Sequence, residues 1–481
     1  TVATVNLYQL RIQAARLIQR WEEAAVSQRI LNRHYERSGD QDELEAGLRN
    51  LSVYESNVGN WESAIQHRIQ ARESAADRGD EIQAARDDQI LATLWEKQGD
   101  IPRAVSKLYE AAKTFREWEE IQPFTETCVY LGRLHITQEN YEKAVEVLEQ
   151  FREDRRKMIR SIGGDQPLPT EFFQHLGAAY EGLMDYANAL DNQLQALAAL
   201  GDTISLGTAL THQYIAGLRW KRGEFQEAIQ ELQKAREDYD RIGKKQYIYL
   251  LDNIEALIQL DLGNIGIAQE KGKTALDGAA AAGDEKSRLQ IEKNLGLIDL
   301  AANQPEKAKN RFLQALQSDR ASGTPINQAL TKLDLSNALL QVNQTDSAKT
   351  YLSEALEIGI STSRADIEAR ALLGLGWIES ITGNANKAVE LLNQSLSRCL
   401  EFGLDEIAWR VYLRLGSVLL RRSQEDEALA AFLKAADIIE QNRITTAAEG
   451  LKSGFMENQS EVYEFLAALY WEKGDLIGVL T

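Results

Sequence analysis

The sequence predicts an all-α chain, a right-handed α-solenoid of about eleven antiparallel helical hairpins. Composition is the first reason. The 481 residues include only 6 Pro and 7% aromatic residues, and abundant Ala, Leu, Glu, Gln and Lys favour helix throughout. A chain of this length exceeds what one compact core usually holds, so it should be several domains or a repeat array. The second reason is a register of small residues. Stepping back by 40 from Ala388 lands on Ala348, Ala308, Ala268 and Ala228, and stepping forward lands on Ala428. The third is a turn signal between paired apolar runs, seen in "VGNW", "QGDI", "QENY", "RGEF", "LGNI" and "TGNA". There Gly or Asn supplies a left-handed helix exit and a polar side chain caps the next helix.

Taken along the chain, the register places Ala24, Ala64, Ala104 and Ala144 in the early hairpins, then Ala189 after an interval of 45, then Ala228 onward. Twelve residues earlier in most units stands a second small residue: Ser52, Ala92, Gly132, Gly177, Ala216, Ala256, Gly296, Ser336, Gly376 and Gly416. Seven residues later stands a third, from Ala71 and Ala111 to Ser395 and Ala435. Small side chains at fixed positions let two helices cross closely, so each unit reads as a first helix, a turn and a second helix. The irregular interval contains "FREDRRKMIRSIGGDQPLPT", residues 151–170, with Arg152, Arg155, Arg156, Lys157 and Arg160 followed by Gly163, Gly164, Pro167 and Pro169. A loop is expected there, preceded by a basic stretch that is either a docking site or a solvated helix face; the second reading carries more weight. Residues 1–440 are thus read as the array, with an insertion near 152–170, and 441–481 as a linker and an incomplete last hairpin.

The segments "YLGRLH…NYEKAVEVL", "HLGAAY…DYANALDNQLQA" and "RLGSVL…DEALAAFLKA" resemble the tetratricopeptide repeat family over nearly the whole chain. The 40-residue period, with breaks at Gly79-Asp80 and Gly283-Asp284, is similar to the longer-helix variants of cell-polarity scaffolds and motor light chains. The resemblance implies a protein-binding scaffold whose first helices line a concave groove. Carried over position by position, the groove residues are Arg49, Gln89, Arg133, Gln174, Gln213, Asn253, Asn337, Trp377 and Arg421. Leu257, Leu297, Leu333 and Leu420 fall on the same face, as groove or as core between repeats. A polar first half suits an extended peptide backbone, and a more apolar second half an amphipathic helix or a neighbouring domain. The Lys and Asn, four residues apart, with which chaperone-binding members clamp a carboxylate are absent: Lys293 is followed by Leu297, and Arg49 by Val53.

Several functional classes are disfavoured. With 54 basic and 73 acidic residues the formal charge is -19, which opposes direct nucleic-acid or anionic-membrane binding. No stretch approaches the roughly 18 uninterrupted apolar residues of a membrane span, and a cytoplasmic, soluble protein is expected. His34, His67, His135, His175 and His212 form no H-x3-H pair, and no nucleotide-binding or nucleophile-elbow motif occurs. No catalytic site, metal or cofactor is expected. Cys128 and Cys399 read as free core thiols.

The C-terminal text, "ADIIEQNRITTAAEGLKSGFMENQSEVYEFLAALYWEKGDLIGVLT", resembles the segment that joins bacterial tetratricopeptide arrays to CHAT caspase-like protease domains, on "IIE", Arg443, Glu449, "LKSGF" and "VYEF". The resemblance implies the sensor or regulatory part of a larger CHAT-type protease, with its own C-terminal effector domain as partner; the alternative is a free-standing adaptor that assembles a multiprotein complex. Val462, Phe465, Leu466, Leu469 and Tyr470 form one apolar face, which is expected to lie open. Gly474-Asp475 would be the following turn.

Overall fold

The protein is all-helical in the computed structural model, which describes residues 2–162, 167–322, 324–445 and 460–472. Twenty-three α-helices and one short 3-10 turn, Lys245–Tyr247, make up the described residues, with no strand among them. The chain divides into two compact units, Thr1–Gly201 and Asp202–Thr481.

The first unit stacks five hairpins: α1 (Val2–Leu17) with α2 (Trp21–Ser38), α3 (Gln41–Asn57) with α4 (Trp61–Asp77), α5 (Glu81–Gln98) with α6 (Ile101–Glu117), α7 (Ile121–Thr137) with α8 (Tyr141–Ile162), and α9 (Thr170–Gly182) with α10 (Tyr186–Leu200). The second stacks six: α11 (Leu206–Lys221) with α12 (Phe225–Arg241), α13 (Ile248–Asp261) with α14 (Ile265–Ala282), α15 (Glu285–Ala301) with α16 (Pro305–Ser322), α17 (Pro325–Gln341) with α18 (Thr345–Ser361), α19 (Ala365–Ile381) with α20 (Ala385–Phe402), and α21 (Asp405–Arg421) with α22 (Glu425–Thr445). A further helix, α23 (Ser460–Glu472), packs after them. Eleven hairpins match the sequence register.

The small residues sit where helices cross. Ala24, Ala64, Ala104, Ala144, Ala189, Ala228, Ala268, Ala308, Ala348, Ala388 and Ala428 are all 0% exposed. At Gly132, Gly296, Gly376 and Gly416 a methyl group would strike the side chain sixteen residues later: Leu148, Phe312, Leu392 and Phe432 respectively, at 2.7–2.9 Å. A bulky knob on the second helix therefore seats on the bare backbone of the first. Turns recur about every twenty residues with one residue at positive φ. Gly fills it at 39, 59, 79 and 99, but Glu119, Glu139, Asn343, Ser363 and Ser423 also adopt it. Capping depends on the residue: Asp40, Asp80, Asp100, Asp185 and Asp284 accept a backbone N–H three residues on. Asn60, Asn264 and Asn384 make no such side-chain bond, which corrects the expectation that every turn carries a polar cap.

The C-terminal expectation is also corrected. The apolar face of α23 is covered, because Val462, Leu466 and Leu469 are buried in one core with Trp409, Leu413, Phe432 and Ile439, and Phe465 stacks on Phe432 at 4.8 Å between ring centres. The helix uses α21 and α22 as its platform. Gly163, Gly164, Glu449, Gly474 and Asp475 lie outside the described residues.

Candidate functional site

First helices of successive hairpins carry polar side chains that meet across the stack. In the first unit Arg49 on α3 donates to Asp87 on α5 through Nε (3.0 Å) and Nη2 (2.9 Å), and also pairs with Glu45. Asp87 is fully buried and takes a second guanidinium from Arg68 at 2.9 Å. Gln89 on α5 donates to the Thr127 hydroxyl on α7 at 2.6 Å. The second unit repeats the device. Asn294 donates to Asn253 at 2.8 Å, Arg370 to Asp334 at 2.8 Å, and Arg421 to the Ser380 hydroxyl at 2.6 Å.

Many of the residues assigned to the groove are therefore engaged between hairpins. Gln213 accepts a hydrogen bond from Tyr239 at 3.0 Å, and Gln174 is half-buried beside His175. Asn337 stands exposed. Trp377 and Arg421 are brought together: the guanidinium carbons of Arg414 and Arg421 lie 4.3 and 5.6 Å from the Trp377 ring centre. Leu257 and Leu333 are buried, and Leu297 and Leu420 pack against the core, so the core reading of these leucines is the one observed.

One cleft opens in the first unit where the repeat interval lengthens. Its volume is about 810 Å3, and it is bounded by α5, α7, α8, the 167–169 segment, α9 and the end of α10. Helix α7 supplies Gln122, Thr125, Glu126, Val129, Tyr130 and Arg133, spaced three to four apart as one helical stripe. Across from it stand Thr93 and Glu96 of α5, Pro167 and Leu168 of the connecting segment, and Glu171 and His175 of α9. Arg133 donates to Glu96 at 2.8 Å and lies over the Tyr130 ring at 4.7 Å, while the Tyr130 hydroxyl donates to the same carboxylate. Arg133 and a hydrogen bond from Tyr130 outweigh burial and hold the Glu96 carboxyl below its ordinary range. Burial, and then the Arg133 charge, push the His175 imidazole below its ordinary pKa, with Glu171 opposing. His175 is thus neutral near pH 7.

Arg155 explains how the cleft is walled. It stands eleven residues after Ala144, a position filled in other hairpins by buried Phe115, Tyr239, Cys399 and Ile439. Here the guanidinium donates to the Thr125 hydroxyl at 3.2 Å and the Pro167 carbonyl at 3.1 Å. It ties the irregular segment to α7. Its neighbours in the basic stretch behave otherwise: Arg152 pairs with Glu149, Arg156 with Glu153 and Lys157 with Asp154 within one turn of α8. The solvated-face reading fits those three, and Arg155 departs from it.

No group of three His, Cys, Asp or Glu that could hold a metal occurs among the described residues. His212 meets Glu231 at 2.6 Å and His67 meets Glu55 at 2.9 Å, each within its own hairpin packing. Both cysteines are free and buried, and burial pushes the Cys399 thiol up to about 11. Neither is poised as a nucleophile. No described helix is long and apolar enough to cross a membrane.

The family model described as "Soluble NSF attachment protein, SNAP" matches residues 5–157, nearly all of the first four hairpins. No curated protein matches the sequence. Among solved structures, the Rap conjugation gene regulator of plasmid pLS20, in complex with the Phr* peptide, is similar at 15% identity and TM-score 0.53, over 68% of this chain and 98% of that one. A tetratricopeptide-sensor STAND protein from Pyrococcus horikoshii is similar at 14% identity and TM-score 0.45, over 76% of this chain and 55% of that one. The eleven hairpins and the likeness to the Rap regulator show a tetratricopeptide-like helical-repeat fold.

Proposed function

We propose that this tetratricopeptide-like array is a non-catalytic scaffold that holds a peptide or protein segment, and that the cleft of the first unit is its principal contact. The observation that carries the reading is the cleft itself, which sets hydrogen-bonding side chains from Thr93, Gln122 and Thr170 against an apolar wall of Val129, Pro167 and Leu168. An extended segment has the same duality, with backbone polar groups along its length and side chains to either side. The Rap regulator that shares the fold was solved with a peptide, which supports this choice of ligand. Of the groove residues assigned from the sequence, Arg133 lines the cleft, and Trp377 with Arg421 offers a second contact surface in the other unit.

The test is binding of a fluorescein-labelled, fully degenerate octapeptide pool, followed by anisotropy, with the cleft wall intact and changed. Val129→Arg with Leu168→Glu should weaken binding by about tenfold or more while helicity by circular dichroism is unchanged. Unaltered binding in that variant would move the site elsewhere.

A second reading places the array as the sensor or regulatory part of a larger bacterial CHAT-type protease, rather than as a free-standing adaptor. Its support is the resemblance of the C-terminal text, because the apolar face of α23 is covered by α21 and α22 and so does not itself call for a further domain. The natural reading frame decides between them: a CHAT domain encoded in the same frame supports the regulatory role, and a frame without one leaves the adaptor.

A further inference from the structure

The charges of the cleft are unevenly satisfied. Arg133 is offset by Glu96, and Arg155 is buried and donates to the Thr125 hydroxyl and the Pro167 carbonyl. Glu126 and Glu171 are different. Both line the cleft and are exposed, Glu126 accepts one bond from Gln122 at 2.8 Å, and neither has a lysine or arginine partner among the described residues. They come from α7 and α9 and line the same cleft as the apolar side chains of Val129 and Leu168.

We infer that the cleft selects a peptide segment bearing a basic side chain, whose ammonium or guanidinium is received by Glu126 and Glu171 while its aliphatic stem lies along Val129 and Leu168. This rests on the peptide-binding reading above and adds the chemistry of the ligand. A long basic side chain is itself half apolar, so it fits a rim where carboxylates border an aliphatic wall. An acidic segment would meet two uncompensated carboxylates, and the formal charge of -19 on the chain adds long-range attraction for cations and repulsion for anions. Arg133 and Arg155 do not reverse that preference, because Arg133 is offset by Glu96, Arg155 is buried, and the lining sets three carboxylates, Glu96, Glu126 and Glu171, against these two guanidiniums.

Three fluorescein-labelled octapeptide pools, degenerate except for one fixed central residue, Arg, Gln or Glu, test the inference on the full chain. The Arg pool should bind about tenfold more tightly than the Gln pool at low salt, and the Glu pool more weakly than either. Glu126→Gln combined with Glu171→Gln should bring the Arg and Gln pools within about twofold of each other. Raising the salt should shrink the Arg preference. Equal binding of Arg and Gln pools by the unaltered chain, or a preference for Glu, would overturn the inference, and the peptide-binding reading would stand if Val129→Arg with Leu168→Glu still abolished binding. Failure of every pool to bind the unaltered chain would overturn both.

Discussion

Gly296→Ala is the smallest change that tests how the hairpins are packed. A methyl group on Gly296 would stand 2.7 Å from Cε1 and 2.8 Å from Cζ of Phe312, where carbon atoms prefer roughly 3.5–4.0 Å. Phe312 is 0% exposed, so its ring has no open side to swing into. Relief needs a shift of nearly an ångström by ring or helix, and overpacking of this kind costs about 1–3 kcal/mol. Replacing a helical Gly by Ala returns about 1 kcal/mol through backbone entropy. The net expectation is a loss of up to about 2 kcal/mol. Gly217, inside α11, is the control, because its added methyl meets nothing within 4 Å; Gly217→Ala should therefore gain about 0.5–1 kcal/mol.

Urea unfolding followed by circular dichroism, with hydrogen exchange on α15 and α16, reads both changes locally, as a stack with nearest-neighbour coupling requires. Phe312→Leu alone should cost about 1–2 kcal/mol. Combined with Gly296→Ala it should cost less than the sum, since the shorter side chain relieves the clash that the methyl creates. If Gly296→Ala stabilised the protein as Gly217→Ala does, the knob-on-glycine account of the crossing would be wrong.

Two electrostatic predictions follow. Asp87→Asn should destabilise the first unit by roughly 3–5 kcal/mol, because it leaves the buried Arg68 guanidinium without its carboxylate, whereas Glu149→Gln at the part-exposed Arg152 pair should stay within about 0.5 kcal/mol; comparable losses in urea titrations of the two variants would refute the assignment of the first as an internal support. Asp261 accepts from the Trp220 indole at 2.6 Å, and burial, opposed by that bond and reinforced by Glu406, pushes its carboxyl up to about 6 from the ordinary 3.8. The folded state then binds more protons than the unfolded state between about pH 4 and 6, so this group lowers stability as pH rises through that window, by at most about 3 kcal/mol. Asp261→Asn keeps an acceptor for the indole and should remove the decline; a parent protein whose melting temperature does not fall more than that of the variant between pH 4 and 7 would contradict the shift.

The fold was legible because its determinants are local and periodic. Ala388, Gly296 and their equivalents must be small at every crossing, so the constraint repeats in register and survives in a single sequence. The site was less legible. Arg49, Gln89 and Asn253 were found as residues of the first-helix face, yet the partners that occupy them, Asp87, Thr127 and Asn294, lie 38 to 41 residues away, and first-helix spacing alone does not distinguish a contact to a ligand from one to the next hairpin. Glu126 and Glu171 were missed because acidic residues are common on every exposed helix face here. Arg155 did carry a signal: a charged residue at the buried position eleven after the repeat alanine marks a core interrupted by something polar. Asp319 stands at the same position in α16 and is likewise engaged, by Lys293 and Thr331.

The interruption at Arg155 accounts for the cleft between α7 and α9. In several other hairpins the end of the second helix carries a large buried side chain, as at Phe115, Tyr239 and Ile439, and polar first-helix residues close the seam by bonding across it. Such a surface is satisfied, so a ligand must displace internal hydrogen bonds to gain its own, with little net return. Between α7 and α9 the seam is different. The chain spends extra residues before α9 begins, an arginine replaces the buried hydrophobe of α8, and its guanidinium holds the Pro167 carbonyl to α7 instead of drawing two helices together. The stripe of α7 that elsewhere would be covered is left facing a wall of Pro and Leu, with Glu126 and Glu171 still uncompensated. A ligand that contacts Glu126 and Glu171 can leave the Arg133–Glu96 pair between α7 and α5 in place, which is the condition under which added contacts become affinity.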